Sequence, residues 1–133
     1  MGSPHTDLLL EALGDAQAEV RAAAALALAA HPSAAAAGPL ARALSDADNL
    51  VAVLAVNALV KIGEACVPLL IEAYEQAPAR GRIQIMRALA ELRDHRGIKL
   101  MMGAMSEESA ALHYWAREGL EKLGLNMVYL RPD

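Results

Sequence analysis

Ala12-Leu13-Gly14-Asp15 returns as Ala43-Leu44-Ser45-Asp46, then as Ala73-Tyr74-Glu75-Gln76, then as Ala104-Met105-Ser106-Glu107. The steps are 31, 30 and 31 residues. A second phrase keeps the same interval: Ala27-Leu28, Ala58-Leu59, Ala88-Leu89 and Gly119-Leu120. Two phrases locked to one period mean four copies of one unit, and a period near 30 residues marks a solenoid. The expected fold is all-α: an α-solenoid of four helix pairs in an α-α superhelix, one domain over residues 1–133. The units run over about 6–32, 33–63, 64–93 and 94–124, with a C-terminal tail at 125–133.

Within each unit the pattern reads as two helices and a short turn. The first helices carry Leu9, Leu40, Leu70 and Met101 in one column, and Leu13, Leu44, Tyr74 and Met105 four residues on. The second helices carry Ala24, Ala55, Ile85 and Ala116, then Leu28, Leu59, Leu89 and Leu120. Spacings of three and four put these on one stripe of each helix. Columns of small residues, Ala12/Ala43/Ala73/Ala104 and Ala27/Ala58/Ala88/Gly119, mark where backbones come closest. The chain holds 30 alanines and no phenylalanine, which suits such close approach. His31-Pro32 stops one second helix, and Gly63 and Gly124 cap two others.

These residues resemble the HEAT-repeat family, in its short variety of about 30 residues found in phycobilisome lyase-like proteins. Leu13-Gly14-Asp15 followed by Val20-Arg21-Ala22-Ala23-Ala24 carries the likeness, and Val67-Pro68-Leu69-Leu70 looks like the family's proline-bearing first helix. The resemblance spans roughly residues 6–124 and implies second helices on the concave side. It also implies an Asp-to-Arg ladder across the turns. Asp15 with Arg21 fits it, and the matching places hold Asp46 and Ala52, Gln76 and Arg82, Glu107 and His113.

Chemistry is sparse. His5, His31, His95 and His113 are scattered without metal-ligand spacing. Cys66, the one cysteine, rules out an internal disulfide and points to a reducing, cytoplasmic home. It reads as a small core residue rather than a nucleophile. No glycine-rich phosphate loop or nucleophile elbow occurs, so no catalytic, cofactor or metal residue is assigned. No apolar run reaches the roughly 20 residues a membrane span needs.

Two features stand out. On a helical wheel the second helices turn an apolar stripe away from the core. Val53, Val56 and Val60 form it in unit two, Ile83 and Met86 in unit three, Tyr114 in unit four. Rimmed by Asn57, Arg87, Arg117 and Glu118, it reads as a partner groove. The other reading is that neighbouring second helices cover it. The second feature is a basic run of Arg80, Arg82, Arg87, Arg93, Arg96 and Lys99: either a solvated face or a site for an acidic partner or phosphate.

The functional expectation is a non-catalytic scaffold that holds a protein or peptide, or a second copy as a homodimer, in the concave groove. The alternatives are an accessory subunit resembling phycobilisome lyase-type HEAT proteins, which serve chromophore attachment, and a HEAT-like DNA-binding protein. A net charge of -4 argues against nucleic acid. The tail, with Met127, Val128, Tyr129 and Leu130, either folds back to cap the stack or pairs with another chain.

Overall fold

A computed structural model describes residues 4–125; the tail expectation lies outside them. Among the described residues there are eight α-helices and no strand. The first helix of each pair is short: α1 (Pro4–Ala12), α3 (Ala37–Ala43), α5 (Val67–Tyr74) and α7 (Ile98–Ala104). The second is long: α2 (Ala18–Ala30), α4 (Asn49–Ile62), α6 (Ala79–Leu92) and α8 (Ala110–Lys122). One turn of 3-10 helix precedes α3, α5 and α7, over Ala34–Ala36, Glu64–Cys66 and His95–Gly97. Pro39 and Pro68 then fall in the first turn of α3 and α5, where a missing N–H costs no helical bond.

Local chemistry sets the helix ends. Asp48 caps α4, its Oδ1 accepting from Val51 N at 3.2 Å, and Ser109 caps α8 by accepting from Leu112 N at 3.3 Å. Gly63 ends α4 at φ 99°, ψ −158°, a conformation that a side chain disfavours. Gly124 ends α8 at φ 86°. Its N–H donates to the Glu121 carbonyl at 2.9 Å and the Leu125 N–H to the Leu120 carbonyl at 3.0 Å, a Schellman turn. Arg93 ends α6 in the left-handed region at φ 52°, ψ 45°, without glycine's freedom.

The expected core columns lie inside, apart from Leu9 and Met105, which are half-buried. Leu28, Leu59, Leu89 and Leu120 are buried, as are Leu40, Leu70 and Met101. Each first helix packs on its own second helix, and the second helices pack along one another, α2 on α4, α4 on α6, α6 on α8. In the second of the two small-residue columns the approach is close at Gly119. A Cβ on Gly119 would come within 2.8 Å of the Met101 sulfur and 3.0 Å of the Ala90 Cα. The first helices touch each other far less, which leaves a shallow groove between each consecutive pair. The α3–α5 groove encloses about 340 Å³ and the α5–α7 groove about 400 Å³. No single helix among the described residues is long and apolar enough to cross a membrane.

Candidate interaction face

The second helices have three kinds of surface: one against the core, one against the neighbouring repeats, and one outward. The stripe predicted to line a groove belongs largely to the second kind. Val56 and Met86 are fully buried, so they are not groove residues. They occupy the side of each helix that faces the next repeat, and α6 and α8 cover them. Val53, Val60 and Ile83 are half-buried along the same seam. No further helix follows α8 within the described residues, and there the matching side chains, Tyr114, Arg117 and Glu121, are polar-tipped or charged. Tyr114 is 56% exposed. A wheel drawn for one helix cannot see this, because helices stacked in a row have neighbours on two flanks.

The rim residues also differ from expectation. Arg87 is half-buried, with Nε 3.3 Å from Glu91 Oε2 and its guanidinium 4.9 Å from the Trp115 ring centroid. Arg117 pairs with Glu121 at 3.4 Å. Both arginines are therefore engaged within their own face. Asn57 and Glu118 do look outward, in one row with Leu26 and Arg87.

Half of the basic run, Arg80, Arg82 and Arg96, holds turns together. Arg80 Nε donates to the Ser45 carbonyl at 2.7 Å, tying the third pair to the second. Arg82 donates to the carbonyls of Tyr74 at 3.0 Å and Glu75 at 2.7 Å, and lies 5.0 Å over the Tyr74 ring. Arg96 Nη2 reaches the Glu64 carbonyl at 3.1 Å, and Arg96 pairs with Asp94 at 2.9 Å. The Arg96 side chain, then its backbone N–H, holds the Asp94 carboxyl well below the usual carboxylate range.

The first rung of the turn ladder pairs its charges between repeats rather than within one. Arg21 donates to the Asp15 carbonyl at 2.8 Å, but its ion pair is bidentate to Asp46 of the following pair, at 2.8 and 3.1 Å. Burial alone would raise the Asp46 pKa; the Arg21 side chain and the Asp48 N–H outweigh it, and the carboxyl sits below its ordinary value.

A family model describing HEAT repeats matches residues 6–82, more than half of the chain. The chain belongs to the HEAT-repeat family. No curated protein matches it.

On these HEAT repeats the outward row carries what sequence reasoning missed. It runs through Glu19, Ala23, Leu26 and Ala30 on α2, and through Leu50, Leu54, Asn57 and Lys61 on α4. Leu26 is 60% exposed and Leu50 is 59% exposed. Half-buried Leu54 and exposed Ala23 lie between them. On α6 and α8 the same row turns charged, with Arg80, Arg87 and Glu91, then Glu118 and Lys122. The signal was present in the sequence one helical step away, in the third stripe of each second helix.

Reactive groups are few. Cys66 is buried, its Sγ 3.7 Å from the Leu59 carbonyl, and burial pushes its thiol pKa up, which suppresses the nucleophilic thiolate. Among the described residues no three His, Cys, Asp or Glu side chains come together as a metal site.

Proposed function

We propose that this HEAT-repeat chain is a non-catalytic scaffold that holds a protein or peptide partner on the outward row of its second helices, centred on α2 and α4. One observation carries the reading: Leu26 and Leu50 are more than half exposed on adjacent helices. Apolar surface left in water is unfavourable by roughly 25 cal/mol per Å², so a partner that covers both gains directly. The charged end of the row, through Arg87 and Glu118, sets orientation rather than affinity. Val56 and Met86 support the stack beneath.

The test is the double variant Leu26→Glu with Leu50→Glu. Its melting temperature stays near that of the parent, because both side chains lie outside the core. Proteins retained from an extract of the native host by the parent chain are lost by the variant. Unchanged retention would move the site elsewhere. A homodimer through this face is the other occupant, and sedimentation of the purified chain, parent against variant, separates it.

The narrower likeness to phycobilisome lyase-type proteins rests on the first turn, Leu13 to Asp15 with Val20 and Arg21. It calls for binding of a linear tetrapyrrole, and a saturable shift of that pigment's own visible band on adding the protein would decide for it. DNA binding is the weaker reading, since Arg80, Arg82 and Arg96 donate to backbone carbonyls.

A further inference from the structure

The α5–α7 groove, about 400 Å³ in volume, carries a polar group that the fold leaves unused. Tyr74, at the end of α5, forms part of its wall and is only 6% exposed. The Tyr74 hydroxyl is buried and has no hydrogen-bond partner among the described residues. A buried phenol normally finds one. Burial, then the Glu107 carboxylate, pushes its pKa up, with Glu75 adding and Arg82 opposing. It therefore stays a neutral phenol, able to accept and to donate, and both of those carboxylates also line the groove.

The remaining walls complete a graded site. Ile71 and Leu100, both half-buried, supply an apolar stretch. Lys99 and Arg96 stand at the N-terminal end of α7. Arg96 is held by Asp94 and the Glu64 carbonyl. The side chains of Lys99, Glu75 and Glu107 form no hydrogen bond or ion pair among the described residues. Gly103 leaves the groove open, since a Cβ there would meet nothing within 4 Å. A concave site of this size, with apolar walls and a few convergent polar groups, has the form of a small-molecule site.

We propose that the α5–α7 groove binds a small lysine-like zwitterion, a primary ammonium and a carboxylate joined by an alkyl chain. The ammonium donates to the Tyr74 hydroxyl oxygen and to Glu107. The chain lies along Ile71 and Leu100, and the carboxylate faces Lys99. The two charged ends fix the direction. A diamine would set its second ammonium against Lys99, and a simple carboxylate would leave Tyr74 and Glu107 unanswered. The site lies between first helices and rests on no part of the scaffold reading.

The test is a titration of the purified chain with 6-aminohexanoate, followed by the amide chemical shifts of the nitrogen-labelled protein. The parent is expected to bind saturably, with hexanoate and 1,6-diaminohexane weaker. Tyr74→Phe keeps the ring and strands no partner, so its melting temperature stays near that of the parent. Its affinity falls at least about tenfold, the effect of removing a hydrogen bond to a charged group. Gly103→Leu fills the groove and abolishes binding. No saturable shift at millimolar 6-aminohexanoate overturns the proposal. So does equal affinity for hexanoate, or unchanged affinity in Tyr74→Phe or Gly103→Leu. Tighter binding of a peptide with an internal lysine would assign the groove to a protein side chain and overturn it as well. If circular dichroism shows that Tyr74→Phe has lost helix, Glu107→Gln, at an exposed position, carries the same comparison.

Discussion

Val56 in α4 and Arg117 in α8 hold the same place in their helices, yet one is fully buried and the other half-exposed beside Glu121. The backbone around them is alike. What differs is whether another repeat follows among the described residues. In the middle of a stack a second helix is flanked on both sides as well as beneath. Its apolar arc therefore widens until it resembles that of a core helix. Beside α8 no further repeat stands among the described residues, and there the sequence changes to tyrosine, arginine and glutamate. A wide apolar arc in a repeat protein is thus first a seam, and only what remains after the neighbours are counted is a candidate for binding.

The largest test of this contrast is to place a charge at both positions. Val56→Glu puts a carboxylate between α4 and α6. It should cost about 4 kcal/mol or more in urea denaturation, enough to unfold a marginal domain. Arg117→Glu should change stability by about 0.5 kcal/mol or less. Similar costs at the two places would mean that the end of the stack is not where it is drawn.

Leu59→Ala, in the centre of the stack, should cost about 3 kcal/mol by the same measurement, from lost transfer energy and the cavity left behind. A loss under about 1 kcal/mol would mean that neighbouring repeats collapse into the space, and that the seam is plastic. Gly63→Ala tests the turn that joins two repeats. Nothing stands within 4 Å of the added Cβ, so its cost is backbone strain alone, about 1–2 kcal/mol.

Acid distinguishes the turns from the seams. Asp94 has a folded pKa below its unfolded value, so its contribution is present above the unfolded pKa of about 4 and fades as pH falls through the folded value. Asp94→Asn should therefore lower the melting temperature at pH 7, and the gap should narrow toward pH 3. A gap constant with pH would place the effect in the cap hydrogen bond to Arg96 N rather than in the charge. The smallest effect should come from Arg93→Gly. Relieving the left-handed residue after α6 should raise stability by up to about 1 kcal/mol.

The sequence alone determined the repeat length, the helical class and the column of buried leucines from Leu28 to Leu120. These follow from periodicity, which each helix carries within itself. It also carried Gly63 and Gly124 as caps, because a positive φ selects glycine locally. Tertiary structure alone decided that Val56 and Met86 are seam, that Arg21 pairs with Asp46 across a repeat boundary, and that Arg80, Arg82 and Arg96 serve carbonyls in the turns. It also left Leu26 and Leu50 more than half exposed on adjacent second helices. The physical reason is that burial of a stripe depends on what stands beside it. A hydrophobic pattern records that a stripe is covered, but the choice between its own partner helix, the next repeat and a foreign chain is made by the stacking.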